Sequence, residues 1–244
     1  MLNHLPSLRI FPGRCAHLSV SWSLEEFDEA WFVKFGLVVP ESMTNAVPKR
    51  RAEFLAGRYC AQKSLASLGI VSTDAIPINA DRSPKWPVGI VGSITHSGHY
   101  AAAVVAHAST FGGIGIDTEN VVDVAAAERL KTLIMTNMEM DQLARLPSTR
   151  TFAEMFTLIF SGKESIYKCL RPLVGTFFGF HSASLVGFEE VEDDKGVLIF
   201  RLSDDLAWQK RFPGVWKVRW QLDAQYAHTC VDIPVVCESN VRNA

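Results

Sequence analysis

From Trp86 to Ile116 the chain carries no Asp, Glu, Lys or Arg. On hydropathy alone such a stretch could pass for a membrane span. Its longest clean apolar run, Tyr100–Ala106, falls far short of the ~20 residues that a membrane helix needs. Six glycines, three histidines and several Ser and Thr interrupt the rest. The pattern therefore predicts uncharged strands separated by turns: Ile90–Thr95, Tyr100–Ala106 and Gly113–Glu119. The links His96–His99 and His107–Gly112 are short enough for hairpins.

Around this stretch the periodicity alternates between helix and strand. Leu18–Trp22 reads as a strand, and Ser23 with Glu26 reads as a capping box for a helix through Phe35. Pro48 opens a helix to about Leu68, where Gly69 ends it. Residues 72–89, with three prolines, read as a surface loop. Helical patches follow at Val124–Leu133 and Met138–Leu146, then a stronger helix from Thr151 to Leu170, stopped by Pro172. Ser184–Glu190, Val197–Leu202, Val215–Gln221 and Gln225–Ile233 alternate as strands. The whole is neither strict strand–helix alternation nor all-β. It predicts an α+β chain of two subdomains meeting near residues 112–120.

Charge and cysteine usage exclude several classes. A net charge of -2 lacks the basic footprint of a protein that tracks nucleic acid. Five cysteines, an odd count without a Cys-x-x-Cys pair, disfavour a disulfide framework or zinc ribbon and fit a reducing cytoplasm. The start Met-Leu-Asn-His-Leu-Pro lacks the form of a secretory signal, and no integral membrane segment is expected.

Four constellations carry chemistry. Asp117 and Glu119 lie two apart on one strand face, so their carboxylates repel unless a cation intervenes; oxygen ligands suit Mg²⁺. The plainer reading is an exposed strand end. On the Thr151 helix, Lys163 falls inside the stripe of Met155, Phe156, Ile159, Ile166 and Leu170. A lysine there must snorkel, pair, or meet an anion. Glu164 and Lys168 share another face, where an exposed salt pair is the plain alternative. Arg50, Arg51 and Arg58 sit early on the Pro48 helix, suited to phosphate or simply to a solvated basic face with Glu53. His96 closes a Gly92-Ser93-Ile94-Thr95 strand, able to donate to phosphate or to serve structurally.

In this order, Arg50–Arg58, Ser93–His96, Gly115–Glu119 and Phe160–Lys168 resemble the phosphopantetheinyl transferases of the larger, monomeric bacterial type, nearest the enterobactin branch. The resemblance covers roughly residues 48–182 and implies two similar α/β halves related by a pseudo-twofold, each with a small, mostly antiparallel sheet on a long helix. The halves would be residues 1–114, on the coenzyme A side, and 115–244, on the metal and catalytic side, with the active site between them. It implies transfer of the phosphopantetheine arm of coenzyme A to a serine of an apo acyl, peptidyl or aryl carrier protein, with Mg²⁺ and release of adenosine 3′,5′-bisphosphate. Such enzymes serve siderophore, other secondary-metabolite or fatty-acid synthesis.

By resemblance Asp117, Glu119 and Glu164 would hold the metal. Lys163, Lys168 and His96 would meet the pyrophosphate, and Arg50, Arg51 and Arg58, with Arg82 or Lys85, the 3′-phosphate side. These make two cationic clusters at some distance. Glu164, or else Glu139, would take the serine proton, with Lys168 stabilising charge. The competing readings are a Mg²⁺-dependent phosphohydrolase and a non-catalytic carrier-binding module.

Overall fold

The uncharged stretch supplies strands to two different sheets. The computed structural model describes residues 2–70, 76–145, 149–206 and 208–235. In chain order the elements are β1 (Asn3–His4), β2 (Ala16–Ser21), α1 (Ala30–Lys34), α2 (Pro48–Ser67), β3 (Ile90–Ser97), β4 (Tyr100–His107) and β5 (Phe111–Asn120). Then come α3 (Val124–Ile134), α4 (Asn137–Leu143), α5 (Phe152–Val174), β6 (Ala183–Glu192), β7 (Lys195–Leu202), β8 (Val215–Leu222) and β9 (Tyr226–Pro234). The first sheet has the order β1-β2-β4-β3 and the second β5-β9-β8-β7-β6, with antiparallel pairing throughout. The halves share one connectivity. In each, a strand leads into a long helix, and two later strands add so that the last lies in the middle: β2-β4-β3 around α2, and β5-β9-β8 around α5. The second half inserts the β6–β7 hairpin. This is the α+β, doubled architecture that the pattern and the resemblance implied.

Three expectations are corrected. The link His107–Gly112 is not a hairpin: β4 pairs with β2 and β3, while β5 pairs with β9. The chain therefore changes sheet between His107 and Phe111. Ser23 caps no helix. Its Oγ accepts from the Glu25 N–H, closing a local turn, and α1 starts later, where Asp28 Oδ1 accepts from the Ala30 N–H. Pro172 does not stop α5, which runs on to Val174 and ends at Gly175 in the left-handed region (φ 72). In the last turn a proline forfeits one intrahelical bond without displacing the helix, whose residues up to Leu170 are packed in the core. The end of the Met138–Leu146 helix, part of the 72–89 loop and Cys237 lie outside the described residues.

The sheets meet edge to edge through side chains. Ser93 Oγ accepts from the Ile116 N–H at 3.1 Å, Thr95 Oγ1 from Thr118 at 2.9 Å and Ser97 Oγ from Asn120 at 3.2 Å. The constant offset means that β3 and β5 run in the same direction, with alternate hydroxyls of β3 serving the N–H groups on the free edge of β5. Behind this seam Tyr100, Ala102 and Val104 pack on Ile114, Ile116 and Tyr226. Among the described residues no helix is long and apolar enough to cross a membrane.

Candidate active site

Gly113 and Gly115 determine where the site forms. A Cβ on Gly115 would lie 1.9 Å from the Ser165 carbonyl oxygen, and one on Gly113 would lie 3.1 Å from that of Cys169. At Gly115 only glycine lets α5 pass this close to β5, and at Gly113 a side chain would crowd the same helix. Asp117 and Glu119 continue the same face of the strand. The Lys168 ammonium, from α5, donates to Asp117 Oδ1 at 2.6 Å. Thr95 Oγ1 donates to the same oxygen at 3.3 Å, and Ser97 Oγ donates to Glu119 Oε2 at 3.2 Å. Asp117 is 3% exposed, and its Oδ2 has no hydrogen-bond partner.

Such crowding changes how the acids ionise. Burial and then the Asp117 charge push Glu119 up to about 7, against the pull of Lys168. Burial also raises Glu164, with Lys168 opposing and Asp117 adding. The three carboxylates lie near enough to act on one another. Among the described residues, however, no three His, Cys, Asp or Glu are grouped so as to hold one ion as they stand. Lys168, rather than a third acid, holds Asp117. A buried carboxylate oxygen without a partner, beside acids that resist ionising together, still makes a hard oxygen donor set, whose chemistry fits Mg²⁺.

Lys168 also lines a crevice of about 530 Å³ between α2, β3 and the turn Asn79–Pro84 on one side and α5 on the other. Arg50, Arg58, Arg82, Arg171 and His96 line it too. Arg58 is 6% exposed, its guanidinium lies 5.1 Å from the centre of the Phe54 ring, and its Nε has no partner. Burial pushes its pKa down to about 10, so an anion arriving here would relieve a strained charge. Arg50 Nη1 stands 2.9 Å from His96 Nε2, which therefore accepts. His96 is pushed down, by burial first, then by Arg50 and Lys168 against the pull of Glu53. The two cationic clusters expected to lie apart thus touch at Arg50 and His96.

Three of the sequence-assigned residues are elsewhere. Lys163 does not reach the crevice: its Nζ donates to Glu139 Oε2 and to the Ile134 carbonyl oxygen, both at 2.8 Å, in the buried core. Of the three fates open to a lysine in an apolar stripe, it has paired. Glu139 is likewise spent. Its Oε1 accepts from the Leu185 N–H, and its Oε2 from the Thr136 N–H and hydroxyl as well as from Lys163. Thr136 and Glu139 form the capping box of α4, a signal present in the sequence but unread. Arg51 is also committed, with Nε and Nη2 on the Glu29 carboxylate and Nη1 on the carbonyls of Met43 and Thr44. It straps α1 and the loop before α2 together.

Sequence reasoning also missed Arg171. At ~100° per residue it shares with Glu164 and Lys168 an arc of about 60° on α5, and that spacing could have found it. Tyr167 and Trp86, which bring aromatic surface to the crevice, carried no such signal.

Comparison with known proteins finds two family models in series along the chain. A family described as the 4'-phosphopantetheinyl transferase N-terminal domain matches residues 39–106, and the 4'-phosphopantetheinyl transferase superfamily matches residues 113–231. The boundary between them falls where the chain changes sheet. The chain is 33% identical to 4'-phosphopantetheinyl transferase Svp of Streptomyces mobaraensis, over 77% of this chain and 75% of that protein. It is 32% identical to enterobactin synthase component D of Escherichia coli (strain K12), over 81% of this chain and 85% of that protein. A third relative, 4'-phosphopantetheinyl transferase PptT of Mycobacterium tuberculosis, is 32% identical over 59% of this chain and 61% of that protein.

Proposed function

Because this chain belongs to the 4'-phosphopantetheinyl transferase family and is an enzyme of that activity, we propose that its crevice takes coenzyme A as donor. The arm then passes to a serine of an apo carrier protein in the cytoplasm, and adenosine 3′,5′-bisphosphate leaves. One observation carries this reading: Lys168 lines a cation-rich crevice while its ammonium is held by the buried carboxylate of Asp117, so one residue joins the crevice to the acids. A donor with a pyrophosphate at its reacting end and a separate 3′-phosphate matches that distribution of charge.

In this reading Arg50, Arg58, Arg82 and His96 meet the donor's phosphates. Lys168 moves its ammonium from Asp117 toward the pyrophosphate oxygens as negative charge gathers on the leaving group. Glu164, whose carboxyl holds its proton more tightly than an exposed one, is the group suited to take the proton of the attacking serine. Asp117, Glu119 and Glu164 would hold Mg²⁺, which when bound supplies charge neutralisation at the pyrophosphate. Mass spectrometry of a panel of apo acyl, peptidyl and aryl carriers after incubation with coenzyme A and Mg²⁺ tests the proposal. Addition of one phosphopantetheine to a carrier supports it, and the pattern across siderophore, secondary-metabolite and fatty-acid carriers identifies the acceptor. No addition to any carrier overturns it.

The arginines separate in a second measurement. Arg51→Ala is expected to lower Tm by about 2–10 °C through loss of its strap, and to leave the preference for coenzyme A over 3′-dephospho-coenzyme A unchanged. Arg58→Gln should reduce that preference roughly tenfold, because its buried guanidinium, with Nε left without a hydrogen-bond partner, is the one suited to the 3′-phosphate.

Glu119 predicts a pH dependence. Its folded value of about 7 stands above the ordinary 4.5. The folded chain therefore binds more protons than the unfolded one between those values, and Glu119 costs stability as pH rises through that window. With metal chelated, Glu119→Gln should raise Tm at pH 8 and change it little at pH 4.5. Mg²⁺ at pH 8 should raise the Tm of the wild type more than that of the variant. Equal Tm differences at the two pH values would contradict this.

A further inference from the structure

The turn Asn79–Pro84 belongs to the first half but faces α5 of the second. It is well built. The Asn79 N–H donates to the Ser83 carbonyl oxygen, the Arg82 N–H donates to that of Asn79, and Ile78 and Pro84 form an isolated bridge. Arg82 adopts a left-handed backbone (φ 68), rare for a residue with a side chain, and thereby lines the crevice. Asp81 works in two directions. Its Oδ1 accepts from the N–H and hydroxyl of Ser83, fixing the turn's shape, while its Oδ2 lies 3.6 Å from Arg171 Nη2, in the last turn of α5. Among the described residues this is the one ion pair between the turn and the second half. The side chains are 21% exposed for Arg171 and 29% for Asp81, which as a whole residue is exposed, and both line the crevice.

We propose that Arg171 is a positioning residue that acts through Asp81. Their ion pair latches the turn of one half onto the helix of the other, and so holds Arg82 over the donor-binding crevice before the donor arrives. The inference rests on the reading of the crevice as the coenzyme A site, and it differs from the simplest alternative, in which Arg171 grips a donor phosphate itself. The two alternatives predict opposite signs for one substitution. Asp81→Asn keeps an oxygen to accept from Ser83 but removes the charge facing Arg171. If the pair is a latch, this change loosens the turn and raises KM. If Arg171 instead serves the donor directly, removing its competitor releases it and KM falls.

The test is a double-mutant cycle with Asp81→Asn and Arg171→Gln, read by carrier-transfer kinetics and by hydrogen exchange of residues 79–84 without donor. Each single variant is expected to raise KM for coenzyme A about three- to fivefold, near the ceiling for a part-exposed ion pair, with kcat changed less than twofold. The double variant should be no worse than either single one. Exchange in the turn should rise equally in all three. A KM that falls or holds in Asp81→Asn, additive effects in the double variant, or unchanged exchange would overturn the latch. Hydrogen exchange needs no donor, and wild-type turnover on coenzyme A is measured alongside, so failure of the latch is distinguishable from failure of the assigned donor.

Discussion

Asp117→Ala is expected to lower carrier modification at saturating coenzyme A by about a hundred- to a thousandfold, with circular dichroism and Tm close to wild type. The reason lies in how little this buried acid does for the fold. Its Oδ2 has no hydrogen-bond partner, and its Oδ1 receives Lys168 and a long contact from Thr95. Removing it leaves Lys168, 29% exposed at the side chain, able to turn to solvent. It also removes the like charge that helps push up Glu119. In the proposed reaction, a residue whose loss relieves repulsion in the fold, yet whose Oδ1 holds the crevice-lining Lys168, would serve chemistry rather than stability. If Tm fell by 10 °C or more while the surviving fraction kept its turnover, Asp117 would be a structural residue and the site would need reassignment.

Glu139→Ala should show the reverse. It strands a buried ammonium and removes the acceptor of the Leu185 and Thr136 N–H groups. Breaking one side of a buried pair typically costs about 3–5 kcal/mol, which for a chain of this size corresponds to roughly 6–20 °C in Tm. Turnover of the folded fraction at low temperature should change less than about threefold, because neither Glu139 nor Lys163 lines the crevice. Lys163→Met combined with Glu139→Leu should recover part of the loss, since an apolar pair leaves no charge stranded. Loss of turnover with Tm preserved in Glu139→Ala would restore it as the base.

These two acids show what the sequence could and could not convey. Period-two alternation located the strands of the second half to within about two residues, as Val215–Gln221 against Val215–Leu222 illustrates. Helix stops and starts at Pro48 and Gly69 were equally legible, because they are local. The partner of β5 was not, since the length of a link does not say which strand lies beside it. For the site, residue type revealed charge but not its counterpart. Lys163 finds Glu139 and Arg51 finds Glu29, each more than twenty residues away, and only the fold shows that these charges are satisfied. Among the candidate-site residues, the buried atoms left with unmet demands, Asp117 Oδ2 and Arg58 Nε, are visible only once the rest have been paired.

The hydroxyl seam between β3 and β5 bears on the chain's solubility. Strand β3 lies at the end of its sheet, contains neither charge nor proline, and is backed by the Ala- and Val-rich β4. An edge of that composition is a template for fibril growth. Here it is occupied by a strand of the other half, held at alternate residues by Ser93, Thr95 and Ser97. The first half expressed alone would bare that edge. The doubled architecture that forms the crevice therefore also protects the chain against self-association, and a split of the chain between His107 and Phe111 would forfeit both.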